Sequence, residues 1–98
     1  MNQATTGNAM LFSLGDLVAT PGALNTLERN GIVPIRLISR HMRGDWGDVP
    51  PDDAAANTDT LRIGARLLSS YALPDGARIW IITEADRSAT TLLLREEY

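Results

Sequence analysis

Two dense polar motifs carry most of the chemistry this chain can offer. The first is Gly44-Asp45-Trp46-Gly47-Asp48, followed at once by Pro50-Pro51-Asp52-Asp53; the second is Thr83-Glu84-Ala85-Asp86-Arg87-Ser88-Ala89-Thr90-Thr91. Each adjoins an apolar run, which would present it at the edge of a folded core. In the first, Asp45, Asp48, Asp52 and Asp53 can space carboxylates as a nucleic acid spaces phosphates, with Trp46 as a rigid interface anchor. The same residues also suit turns and a helix N-terminus, with Trp46 as a core plug. In the second, Glu84 and Asp86 point the same way from a strand end. They can contact a partner together with Arg87, bind a divalent cation, or act as acid and base. A plain turn would use Asp86, Ser88 and the threonines for side-chain-to-backbone bonds, with Arg87 paired to Glu84 or Asp86.

His41 is the sole histidine. It can serve as a base oriented by Asp45, four residues on, or cap the carbonyls of a helix end. All nine cationic residues are arginine. Arg36, Arg40 and Arg43 recur at helical spacing, either as a solvated face or as a grip on a nucleic-acid backbone. With no cysteine in the chain, disulfides and thiolate sites are excluded. No zinc pattern, phosphate loop or nucleophile elbow occurs, so no metal and no cofactor is expected.

The elements that must hold these motifs fit one domain. A length of 98 residues with 44% hydrophobic and 21% charged composition describes a globular chain with a single core. Residues 1–9 read as a loose polar tail and 10–98 as the domain. Thr20-Pro21 opens a first helix, with Leu24 and Leu27 inward, and Asn30-Gly31 closes it. A second runs from Pro34 to about Met42, with Ile35, Ile38 and Met42 on one face, and a third is expected over about 51–65. Leu67–Leu73 and Arg78–Thr83 flank Pro74-Asp75-Gly76-Ala77 as a hairpin, and Thr90–Leu94 adds a third strand. Met10–Val18 either forms an edge strand or leads into the first helix. The expected fold is α+β, with N-terminal helices packed on one face of a three-stranded antiparallel β-meander. In Arg78–Thr83 both faces are apolar, Ile79 and Ile81 against Trp80 and Ile82. The second face is covered either by the N-terminal segment or by a partner or second copy.

Arg40-His41, the Gly44–Asp48 motif, the Tyr71-to-Gly76 hairpin and Trp80–Thr91 together resemble a family of small plasmid-, phage- and integrated-element-borne bacterial proteins. Its members are often labelled hypothetical or type I restriction subunit M. A chain of this size without a glycine-rich strand-to-helix loop holds no methyltransferase domain. The resemblance spans roughly residues 14–98 and implies a mobile-element setting. The Ala54–Asp59 stretch departs from the family pattern, where more charged, helix-favouring residues are usual.

From that setting and the acidic segment follows an expected function. It is a non-catalytic inhibitor of the anti-CRISPR type, which binds a host CRISPR or restriction effector and blocks DNA or protospacer-adjacent-motif binding as a local DNA mimic. Its contact residues would be Asp45, Trp46, Asp48, Asp52, Asp53, Glu84, Asp86 and Arg87. The partner would be a protein with a basic DNA-binding surface, neither a membrane nor nucleic acid, met by a monomer or weak homodimer in the bacterial cytoplasm. The alternatives are a small DNA-associated accessory or regulatory protein, using Arg36, Arg40 and Arg43, and a minimal hydrolase or nuclease using His41 and the acidic turn.

Overall fold

The computed structural model describes residues 11–52, 54–57 and 64–98, in the order β1 (Asp16–Ala19), α1 (Pro21–Arg29), α2 (Pro34–Met42), β2 (Leu67–Ala72), β3 (Arg78–Thr83) and β4 (Ala89–Leu94). A 3-10 turn follows at Arg95–Glu97, and residues 51–52 and 54–57 are helical. The expected tail over 1–9, Asp53 and residues 58–63 of the expected third helix lie outside the described residues. That helix does not reach residue 65, because Gly64 stands in a turn at φ +74° and the chain is irregular before β2.

Local signals place α1 and α2. The Thr20 hydroxyl accepts from Ala23 N at 3.1 Å and Pro21 occupies the first turn. At the far end Gly31 takes φ +69°, and Gly31 N and Ile32 N donate to Glu28 O and Leu27 O. This left-handed stop turns Ile32 back onto the core. α2 starts at Pro34 without a side-chain cap.

The faces differ from expectation by about one residue. α1 buries Ala23, Thr26 and Leu27 and leaves Leu24 44% exposed; α2 buries Leu37, Ile38 and His41 and leaves Ile35 56% exposed. In the last turn His41 takes the inward place that an apolar count gives to Met42, because hydroxyl partners await it there.

The sheet corrects the expected three-stranded meander. It has four strands in the order β1-β4-β3-β2, with β2-β3-β4 antiparallel and β1 parallel to β4. Asp16 N and Thr20 N donate to Ser88 O and Leu92 O at 3.0 Å each, which stitches the N-terminal run to β4. Asp-Leu-Val-Ala is too short and too exposed to display a two-residue period, so its strand state is set by this pairing. At Gly15, φ +64°, a Cβ would lie 2.3 Å from Ser88 O, so the crossing requires glycine.

The helices cover the face formed by Tyr71, Ile79, Ile81 and Leu92, joining Leu27, Leu37 and Ile38 in one apolar cluster. The N-terminal segment also lies on this side: Phe12 packs on His41 and Trp46, and Leu14 O accepts from Thr90. Phe12 and Leu14 therefore do not cover the opposite face, where Tyr98 rests on Trp80 at 5.2 Å and Ile82 and Leu93 are buried; residues 1–10 lie outside the described residues.

Candidate functional site

The first motif builds the sheet's outer edge. Ser70 N donates to Trp46 O at 3.0 Å, Asp48 N to Ser70 O at 2.6 Å, and Ala72 N to the Asp48 carboxylate at 3.1 Å. Asn57 adds a two-way amide bond with Leu68, at 2.6 and 3.3 Å. Outward backbone groups of β2 are thereby bonded, and this edge is closed to strand addition. Gly47 sits at φ +76°, and a Cβ there would meet Ser70 O at 2.1 Å.

Asp45 is held by Arg40, Nε to Oδ2 at 2.6 Å and Nη2 to Oδ1 at 3.2 Å, and accepts from Gly47 N at 3.2 Å. The Arg40 hydrogen bond pulls the carboxyl below its usual range and raises the guanidinium. Arg40 also lies 4.5 Å over the Tyr71 ring, while the Tyr71 hydroxyl donates to Asp45 O at 2.6 Å. Burial pushes that phenol up to about 12. Trp46 is 6% exposed and packs on Phe12 and His41, so its indole plugs the core and offers no surface anchor. Asp48 and Asp52 are exposed.

The second motif is a hairpin turn. Asp86 accepts from Ser88 N at 2.9 Å, and its bonds to Ser88 hold its carboxyl below the usual range. Arg87 adopts φ +61° and pairs with neither Glu84 nor Asp86 through their carboxylates. Its Nη1 donates to Ala65 O at 2.6 Å and Glu84 O at 3.0 Å, and its guanidinium lies 5.7 Å from the Phe12 ring centre. Arg87 thus ties the turn to the approach to β2.

His41 is not paired with Asp45. It is fully buried, with Nδ1 2.5 Å from Ser69 Oγ and Nε2 2.9 Å from Thr83 Oγ1. Thr83 and Thr90 hydroxyls are 2.7 Å apart, and Thr90 donates to Leu14 O at 2.8 Å. Desolvation, with the Arg87 charge second, lowers the imidazole to about 4. A base so enclosed meets no substrate, and among the described residues no three His, Asp or Glu groups converge as a metal site.

No family model, curated protein or solved structure matches this chain.

A different constellation emerges on the sheet face away from the helices. Arg66, Arg78 and Arg95 each stand two residues from Leu68, Trp80 or Leu93, which belong to this face by register. Trp80 is half-buried under Tyr98, and Arg66 lies 5.5 Å from the Tyr98 ring centre and donates to its hydroxyl. Arg78 is 3.6 Å from the Asp48 carboxylate. Arg95 has no ion pair or side-chain hydrogen bond among the described residues. A groove of about 320 Å³ runs between Val49, Leu68 and Trp80, with Arg78 and Arg95 in its wall. The sequence signal was present in Arg78-Ile79-Trp80, which sets a guanidinium and an indole on one face. Arg66, Arg95 and Tyr98 join them only through the antiparallel register.

The described helices include none long and apolar enough to cross a membrane.

Proposed function

We propose that the chain works by binding rather than turnover, as a small DNA-associated accessory protein of a plasmid or phage. The observation that carries this reading is the gathering of Arg66, Arg78 and Arg95 around Trp80 and Tyr98 on one sheet face, since guanidiniums beside aromatics suit phosphate and base together. The expected arginine stripe on α2 contributes less. Arg40 turns to Asp45 and Tyr71, and Arg36 and Arg43 border a separate groove with Ile35 and Ser39.

A second reading keeps one specific support. The side chains of Asp45 and Asp48 are 51% and 54% exposed despite their arginine partners, and Asp52 and Asp86 are exposed nearby in sequence or on the other turn. That acidic surface fits an inhibitor of a host CRISPR or restriction effector, which would occupy its basic DNA-binding groove.

Capture from bacterial lysate separates the two. The tagged protein, with and without nuclease treatment, is compared with Arg95→Glu and with Asp52→Lys/Glu84→Lys. DNA association predicts recovered nucleic acid that Arg95→Glu loses. A nuclease-resistant effector complex, lost only in the acidic variant, would overturn it in favour of inhibition.

A further inference from the structure

We infer that the groove beside Trp80 binds single-stranded DNA, with a base against the indole and backbone phosphates on Arg78 and Arg95. The inference rests on the DNA-association reading and deepens it, naming the strand state and the residues.

Three observations converge on it. The first is the indole's position. Trp80 lies on β3, the sheet's interior strand beside β2, and lines the groove while Ile82 and Leu93 are buried around it. Stacking on a sheet-borne aromatic is sequence-tolerant, because every base has a π-face. A duplex hides those faces and offers only base edges and phosphates, so it cannot use Trp80 this way.

The second is the continuity of the path. A neighbouring groove of about 350 Å³, bordered by Gly76, Ala77 and Glu96, shares Arg78 and Arg95 with the first. The two guanidiniums therefore stand where the two grooves meet, and the grooves continue on either side of them, as a polymer requires. A lone nucleotide would need one closed pocket, whereas both grooves are open at the surface.

The third is charge and its availability. The two grooves carry Arg78 and Arg95 against Asp48 and Glu96, and Arg66 stands beside Tyr98, in a chain of net charge -3. Asp48 shares Arg78 at 3.6 Å, but the Arg95 guanidinium has no such partner among the described residues. Tyr98, 64% exposed and tilted 53° on Trp80, supplies a second ring beside the first. Arg66 lies 5.5 Å from the centre of that ring and donates to its hydroxyl.

The test is fluorescence anisotropy with a labelled single-stranded DNA of about ten nucleotides, a length within the range that such surfaces cover. It is run beside a duplex and an RNA of the same sequence, with tryptophan emission recorded in parallel. The expected result is single-strand binding with quenching. Trp80→Leu should weaken it on the order of tenfold, and Arg95→Glu should weaken it at unchanged melting temperature. Should Trp80→Leu unfold, Trp80→Phe with Arg95→Glu carries the test. Equal or tighter duplex binding without quenching overturns the single-strand inference and leaves DNA association standing. A tenfold preference for RNA overturns the choice of DNA, and affinity unmoved by either substitution overturns the site. Failure to bind any of the three at low salt overturns this inference and the reading beneath it.

Discussion

The Nδ1 of His41 lies 2.5 Å from the hydroxyl oxygen of Ser69, and that contact is one end of a hydrogen-bond chain whose direction is fixed at the other end. Leu14 O can only accept, so Thr90 donates to it and accepts from Thr83. Thr83 then accepts from the His41 Nε2–H, and Nδ1 is left to accept from Ser69. The chain puts a proton on Nε2, and burial, which lowers the imidazole to about 4, keeps the ring neutral so that Nδ1 accepts from Ser69. Two-bond 15N–1H correlation spectra at neutral pH should show the Nε2–H tautomer; an Nδ1–H pattern would contradict the chain.

Acid should unfold the protein in two stages. The imidazole is lowered from an ordinary 6.5 to about 4, so the unfolded chain takes up the proton first. The stability from keeping it neutral is complete above pH 6.5 and is lost as pH falls toward 4. The loss is of order 3 kcal/mol. Asp45, Asp75, Asp86 and Glu97 are also lowered, but from ordinary values of 3.8 to 4.5, so their stabilising effect persists until lower pH. Urea midpoints between pH 7 and 5 should therefore fall through His41 alone, and a His41→Gln protein should show a flat profile there.

Breaking the chain at its middle should be costly. Thr83→Val keeps shape but leaves the buried Nε2–H without its acceptor, at about 1–3 kcal/mol. Urea denaturation of the variant measures it, and a change within error would mean that the ring re-pairs.

Gly47 and Gly64 form a matched pair for separating backbone strain from steric overlap. Both are left-handed, at φ +76° and +74°, but a Cβ at Gly47 meets Ser70 O at 2.1 Å, whereas nothing lies within 4 Å at Gly64. Gly64→Ala should cost about 1–2 kcal/mol from conformation alone. Gly47→Ala should cost clearly more and should loosen the Trp46–Asp48 bonds to β2, visible as faster amide exchange at Ser70 and Asp48. Equal losses would show that the edge yields freely.

The chain's end is locked to its first helix. The Thr20 hydroxyl donates to Glu97 at 2.7 Å while accepting from Ala23 N, and the same Glu97 oxygen accepts from Leu94 N at 2.8 Å. Thr20→Ala should cost about 1 kcal/mol as a lost cap. Combined with Glu97→Ala, it should lose less than the sum of the two, because both remove one shared bond. Strict additivity of melting-temperature shifts would rule the lock out.

Much of the fold was legible because local chemistry agreed with the final structure. Thr20-Pro21, Asn30-Gly31 and Pro74-Asp75-Gly76 each determine a boundary within a few residues, and the hairpin from Leu67 to Thr83 lies where its turn signal and flanking β-prone runs predict. What escaped is decided across the chain. The choice left open over Met10–Val18, edge strand or lead-in to α1, is decided for a strand at β1 by its pairing with β4, and α2 turns His41 inward because Ser69 and Thr83 are there. The candidate site was legible only in part for the same reason. Asp45, Asp48 and Asp86 stand out by composition, yet their carboxylates shape turns and close an edge. Arg66, Arg78 and Arg95 are scattered in sequence and become neighbours of Trp80 and Tyr98 only once the strands are in register.

The central claim, nucleic-acid binding by the arginine and aromatic face, is tested most directly by the salt dependence of affinity for single-stranded DNA. Two phosphates neutralised by Arg78 and Arg95 predict a slope of log K against log salt of about -1.4, shrinking by roughly 0.7 for each of these arginines replaced by glutamine. A slope near zero, or one that ignores these arginines and responds instead to Arg36 or Arg43, would contradict it.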